Sequence, residues 1–154
     1  MGDKVYVLTK EYYDGSSLIG VLSPEKWEQK RTVFAETQLK KIELINQHLQ
    51  KEIEEKDTKR KQLLQDAEKI LSQEKWAKMV QNRPLEKEFH KSRKHLLKQA
   101  DNLLWNIRRL NIDIESNNSM TTNALVNQFM GQNSLNVAEV YIDEEYTTTC
   151  GSVF

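Results

Sequence analysis

Glu54-Glu55-Lys56-Asp57-Thr58-Lys59-Arg60-Lys61 is the stretch on which the fold turns. Before it, apolar residues recur at Phe34, Ile42, Ile45, Leu49 and Ile53; after it, at Leu63, Leu64, Ala67, Ile70, Leu71, Ala77 and Val80. Steps of three and four mark one buried stripe on a helix. Inside the stretch the stripe positions are Lys56 and Arg60, so it reads either as an exposed length of one helix or as a turn between two. Trp27 to Gln81 holds neither Gly nor Pro and is rich in good helix formers.

Downstream, Asn82-Arg83-Pro84 ends the helix, because the residue before a proline is pushed out of the α region. A second helix follows on Leu85, Phe89, Leu96, Ala100, Leu103, Ile107, Leu110 and Ile114. Ser116-Asn117-Asn118-Ser119 closes it. Thr121 or Thr122 can cap a short helix carrying Leu125, Val126, Phe129 and Met130, with Gly131 suited to its exit.

Upstream, the chemistry changes. Val5-Tyr6-Val7-Leu8-Thr9 is β-branched and aromatic, Tyr12-Tyr13-Asp14-Gly15-Ser16-Ser17 supplies a turn, and Leu18-Ile19-Gly20-Val21-Leu22 is a second apolar run, which together predict a β-hairpin. Ser23 then stands as N-cap and Pro24 as first helical residue. Leu135 to Asp143 alternates imperfectly, as a third strand does.

Length decides between the two architectures. One helix over 25–81 is roughly 85 Å long, and the return helix 85–116 is roughly 50 Å. A short helix over 121–131 adds about 15 Å and brings the third strand back to the hairpin. A break near 54–61 instead gives three similar helices, and residues 117–134 must then run back almost fully extended. The preferred fold is α+β, mostly α: a long antiparallel, coiled-coil-like helical hairpin on a small three-stranded antiparallel β base. The base comprises 1–24 and 134–146, the stalk 25–131, and a flexible tail 147–154.

Val5-Tyr6-Val7-Leu8, Tyr13-Asp14-Gly15 and Leu18-Ile19-Gly20-Val21-Leu22-Ser23 with Glu25-Lys26 resemble a small β-β-α-β domain family met in phage and bacterial proteins. In that family an Ile-Gly-Val-Phe-Ser type strand end leads into a helix, and a last strand follows, to which Val137 to Glu144 is similar. This chain departs through its long helical insertion and through Leu22 in place of the aromatic residue. The resemblance implies a phage or bacterial origin and a small sheet packed on the start of the first helix; it brings no catalytic residues.

Composition narrows the function classes. The chain has 154 residues, 38% hydrophobic and 30% charged, with 23 basic and 23 acidic side chains. So polar a chain buries a sizeable core only by sharing apolar surface with a partner. No run of about 18 apolar residues suggests a membrane span, and no basic start with an apolar core suggests a secretory signal, so the cytoplasm is the expected compartment. Residues 25–84 carry 14 basic and 11 acidic groups, while 119–154 carry none and four. That imbalance is too small for a dedicated nucleic-acid binder.

Catalytic chemistry is missing. His48, His90 and His95 lack the i, i+4 spacing of a helical metal pair, and Cys150 has no partner for a disulfide or a zinc site. The glycines are too scattered for a phosphate loop. No catalytic residue, metal or cofactor is expected. What remains is surface. Lys87, Lys91, Lys94 and Lys98 form a cationic stripe diluted by Glu86 and Glu88, which reads as a solvated face or as a contact for an acidic partner. Trp76 with Met79 and Val80 falls near the Pro84 turn, where little of the chain itself can cover it, while Trp105 lies beside core positions. Ser152-Val153-Phe154 looks like a PDZ ligand or simply a tail.

The leading expectation is a non-catalytic protein-binding module, a phage-encoded regulator or inhibitor pressing its hairpin on a host protein, with a homodimer through the helices as a further way to cover the stripe. A structural scaffold is the alternative, and nucleic-acid binding through the lysines the third.

Overall fold

The computed structural model describes residues 3–142. The chain is α+β and mostly α. Strands β1 (Asp3–Tyr12) and β2 (Gly15–Leu22) precede two long helices, α1 (Pro24–Met79) and α2 (Arg83–Asn118); α3 (Thr122–Gln132) leads into β3 (Leu135–Ile142). Helices α1 and α2 pack as an antiparallel hairpin, and the strands form one antiparallel sheet in the order β2-β1-β3. Two compact units result, Met1–Glu43 with Met120–Phe154, and Leu44–Ser119. The end of the expected base at 143–146, the expected tail 147–154, Cys150 and Ser152-Val153-Phe154 lie outside the described residues.

In the first unit the hairpin turns at Tyr13-Asp14, where Gly15 takes φ 147°, a value that side chains resist. Opposite Leu8 and Thr9 the register slips by one residue, making Ile19 a bulge. Alternation then sends Tyr6 and Leu8 to one face, where with Leu22 and Leu135 they meet Trp27 and Phe34 of α1 and Val126, Phe129 and Met130 of α3. Aromatic rings run through this core: Tyr6 stacks on Trp27 at 5.5 Å, Trp27 meets Phe34 edge-on at 6.3 Å, and Phe34 stacks on Phe129 at 4.6 Å. Each such pair contributes about 0.5–1.5 kcal/mol beyond its area.

Helix starts follow the expected grammar. Ser23 Oγ accepts from the Lys26 amide at 3.3 Å, and Thr121 Oγ1 from the Ala124 amide at 3.2 Å. The exit of α3 differs from the sequence reading. Gly131 stays helical, and Ser134 takes the left-handed conformation, φ 55°, after the Asn133 cap. Gln38 is a further surprise: it is 1% exposed, and its Oε1 has no partner.

In the second unit α1 runs through Glu54-Lys61 without a break, which excludes the three-helix arrangement. Lys56 and Arg60 remain on the inward seam, half-buried. Long aliphatic stems let them do so, lying along apolar surface while their heads reach water; Lys56 Nζ ends 3.7 Å from Glu52. From Asn46 to Ala77 the seam alternates steps of three and four, with Ile53, Ala67 and Ala77 buried, and α2 contributes buried Ala100 and Ile107. Two stripe assignments are corrected: Ile45 is 51% exposed and Val80 49%. The seam turns one step past each of them.

The arms are pinned at both ends. Asn117 Nδ2 donates to Asn46 Oδ1 at 2.9 Å, and Asn46 Nδ2 to Asn118 Oδ1 at 3.0 Å. Near the turn, Arg93 Nε donates to Glu74 Oε2 at 2.8 Å, and His90 Nδ1 pairs with Glu74 Oε1 at 2.9 Å.

Candidate interaction surface of the helical hairpin

The turn between the arms is fixed by its backbone. The Asn82 amide donates to the Ala77 carbonyl at 2.9 Å and the Gln81 amide to the Lys78 carbonyl at 3.1 Å, with Gln81 left-handed at φ 59°. This is a Schellman closure. Asn82 then turns round to cap α2, its Oδ1 accepting from the Leu85 amide at 3.2 Å beside Pro84. One asparagine thus serves both helices.

That closure dictates what the last turn of α1 presents. Ala77 is fully buried on the seam. Trp76 is one residue off that seam, and Met79 and Val80, three and four residues on from Trp76, fall on its side of the helix; the three face solvent at 52%, 75% and 49% exposure. The structure brings these three sequence-selected residues to one side of the turn. Lys87, Lys91, Lys94 and Lys98 are all exposed on α2.

Charge around the turn is lopsided. Residues 75–94 hold seven basic side chains against two acidic ones, Glu86 and Glu88. Glu74, just before them, is engaged: the Arg93 guanidinium, and then His90, hold its carboxyl below the ordinary carboxylate value. An open depression of about 410 Å³ lies over Glu74, Arg83, Glu86, Lys87 and His90. Such a surface accepts apolar side chains at the indole and methionine, and carboxylates around them.

Sequence reasoning missed the exposure of Trp105. It is 64% exposed on the outer face of α2, one heptad from Ile112 at 62%, with Arg108 5.6 Å over its ring. Its place two residues from the seam positions Leu103 and Ile107 carries the signal: Leu104, one step off the seam, is half-buried, and Trp105 is exposed. In the other unit, Lys4 Nζ lies 2.9 Å from Glu139 Oε1, and the Tyr141 hydroxyl donates to the same carboxylate at 2.9 Å. The Glu139 carboxyl is lowered by Lys4, while Lys4 and Tyr141 are raised by Glu139. The trio is a strand-to-strand brace.

Of the sequence-selected histidines, His48 is exposed, His95 pairs with Gln99 at 3.1 Å, and His90 belongs to the Glu74 cluster. Among the described residues no three His, Cys, Asp or Glu side chains converge as metal ligands do, and no helix is long and apolar enough to cross a membrane. Comparison with protein-family models, with curated proteins and with solved structures finds no match for this chain.

Proposed function

We propose that the chain is a non-catalytic protein-interaction module whose recognition element is the turn end of the helical hairpin. The observation that carries this reading is the exposure of Trp76, Met79 and Val80 on a rigidly closed turn, inside a segment with a net excess of lysine and arginine. Large exposed aromatics and methionines anchor interfaces when a partner desolvates them. The matching partner is a protein surface with an apolar pocket rimmed by Asp and Glu. The lysines set the approach and its salt dependence; the indole supplies the grip. With the resemblance of residues 4–26 to a phage and bacterial domain family, the setting we infer is a bacterial cell, and the partner a bacterial protein.

The test is capture from a nuclease-treated bacterial lysate, comparing the wild type with Trp76→Ala/Met79→Ala. The expected result is one protein retained in stoichiometric amount and lost with the double variant, at unchanged helical circular dichroism. Equal capture by both proteins overturns the assignment to this turn. Retention only of nuclease-sensitive material overturns the protein-partner reading and moves the function to the lysines, whose phosphate contacts weaken steeply with salt.

A further inference from the structure

The hairpin has a second apolar surface, on another side of α1 from Trp76. Leu64 and Leu71 of α1 and Leu97 and Leu104 of α2 each lie one position past a seam residue, at Leu63, Ile70, Leu96 and Leu103, and all four are half-buried. Three of them, Leu64, Leu71 and Leu97, border an open groove of about 240 Å³ together with Ala67, Glu68 and Arg93. The other flank of the same seam is polar, with Asp66 and Gln73 on α1 and Gln99 and Asn106 on α2. A two-stranded coiled coil needs apolar residues at only two positions per heptad, and a third on one flank is the width that helices in larger bundles bury.

We infer that this leucine flank is covered by a second copy of the chain, two hairpins closing into a four-helix bundle. Charge selects the occupant. Just outside the leucines run Glu54, Lys61, Glu68 and Lys75 on α1 and Lys87, Lys94, Asp101 and Arg108 on α2. Counting along both arms from the Asn46–Asn117 layer sets Glu54, Lys61 and Glu68 within about one residue's rise of the level of Arg108, Asp101 and Lys94. A two-fold axis along the hairpin lays α1 of one copy over α2 of the other at equal level. It joins those three opposite-charge pairs and leaves one like pair, Lys75 with Lys87. The axis across the hairpin joins Lys61 with Glu68, Glu54 with Lys75 and Lys94 with Asp101, leaving Lys87 with Arg108. Each way of laying this flank on itself satisfies three of four positions, which is the isologous complementarity a two-fold dimer requires.

Sedimentation equilibrium of the full chain over a dilution series tests it. The expected species has twice the 18.1 kDa chain mass, and Leu64→Glu/Leu97→Glu converts it to monomer with its helical signal retained. Asp101→Lys, on an exposed position, leaves the monomer fold intact and raises the dissociation constant about tenfold or more by setting like charges opposite. Adding Lys61→Glu restores the dimer under the lengthwise axis, and adding Lys94→Asp restores it under the crosswise axis. A monomer at every concentration overturns the proposal and leaves the flank to a different protein. A dimer indifferent to both Leu64→Glu/Leu97→Glu and Asp101→Lys, or Asp101→Lys rescued by neither second change, also overturns it. Trp76→Ala/Met79→Ala should leave the dimer untouched, so failure of this inference and failure of the turn reading are separable.

Discussion

At the scale of single residues, Glu74 does the most to fix the geometry near the turn. It takes a seam position that an apolar residue could fill, and it is kept there by Arg93 and His90 at hydrogen-bond distance. Because Arg93, above all, lowers the carboxyl from its ordinary 4.5, the ion pair is complete above about pH 4.5 and is lost as acid titrates the carboxylate in the folded chain. Urea midpoints measured from pH 7 downward should therefore fall more steeply below that point in the wild type than in Glu74→Gln, where the titrating group is gone. Parallel curves would show that other carboxylates govern the acid response. Gln38 is the counterexample of a polar residue without such support: it falls on the stripe between Phe34 and Ile42, is buried, and leaves its Oε1 unpaired. A sequence reading that follows only apolar letters passes over both residues.

At the scale of elements, the strands, the helix starts and the Pro84 break were legible because each rests on local chemistry. β-Branched runs, Ser23-Pro24 and Asn82-Arg83-Pro84 act within a few residues. What the sequence hides is register. Lys56 and Arg60 look like an interruption until the facing arm shows that their stems stay on the seam. Leu64 and Leu71 look like further core until the same register puts them, with Leu97 and Leu104 of α2, on one flank. The exposure of Trp76, Met79 and Val80 is legible from their nearness to Pro84, whereas that of Trp105 is not, because exposure at the middle of a helix depends on the phase of the seam. Register itself is written into the Asn46–Asn117 layer, since a half-buried polar pair on the seam keeps its hydrogen bond in one alignment only. Asn117→Leu strands Asn46 without its donor and should cost about 1 kcal/mol in chemical denaturation. Asn46→Leu/Asn117→Leu should recover that loss in stability while allowing alternative alignments of the arms. Those alignments are readable as extra crosslinked species between cysteines placed on exposed positions of the two arms; a single species from the double variant would mean that Glu74 and the turn alone set the register.

At the scale of the whole molecule, one helix serves two different cores. The first turns of α1 bury Trp27 and Phe34 beside Leu8, Val126 and Met130, and the remainder buries Ile53, Ala67 and Ala77 along α2. Among the described residues the buried cluster around Trp27 and Phe34 contains none of Ile53, Ala67 and Ala77, so different contacts set the stability of each core. If the hairpin is a dimer, its unfolding midpoint rises with protein concentration by mass action, while that of the sheet-containing unit does not. Of the three tryptophans, Trp27 is buried at 7% exposure, whereas Trp76 and Trp105 are more than half exposed on the hairpin. With Trp76→Phe/Trp105→Phe as background, Trp27 fluorescence follows the first unit and far-ultraviolet circular dichroism is dominated by the long helices. Two transitions are expected, the dichroic one moving upward on concentration and the fluorescent one staying fixed. Adding Ile107→Ala, which removes about 2–5 kcal/mol of packing from a buried seam position, should lower the dichroic midpoint alone. Coincident transitions that move together in both experiments would mean instead that the unbroken α1 backbone carries stability from one core to the other, making the chain a single cooperative unit despite its two sets of contacts.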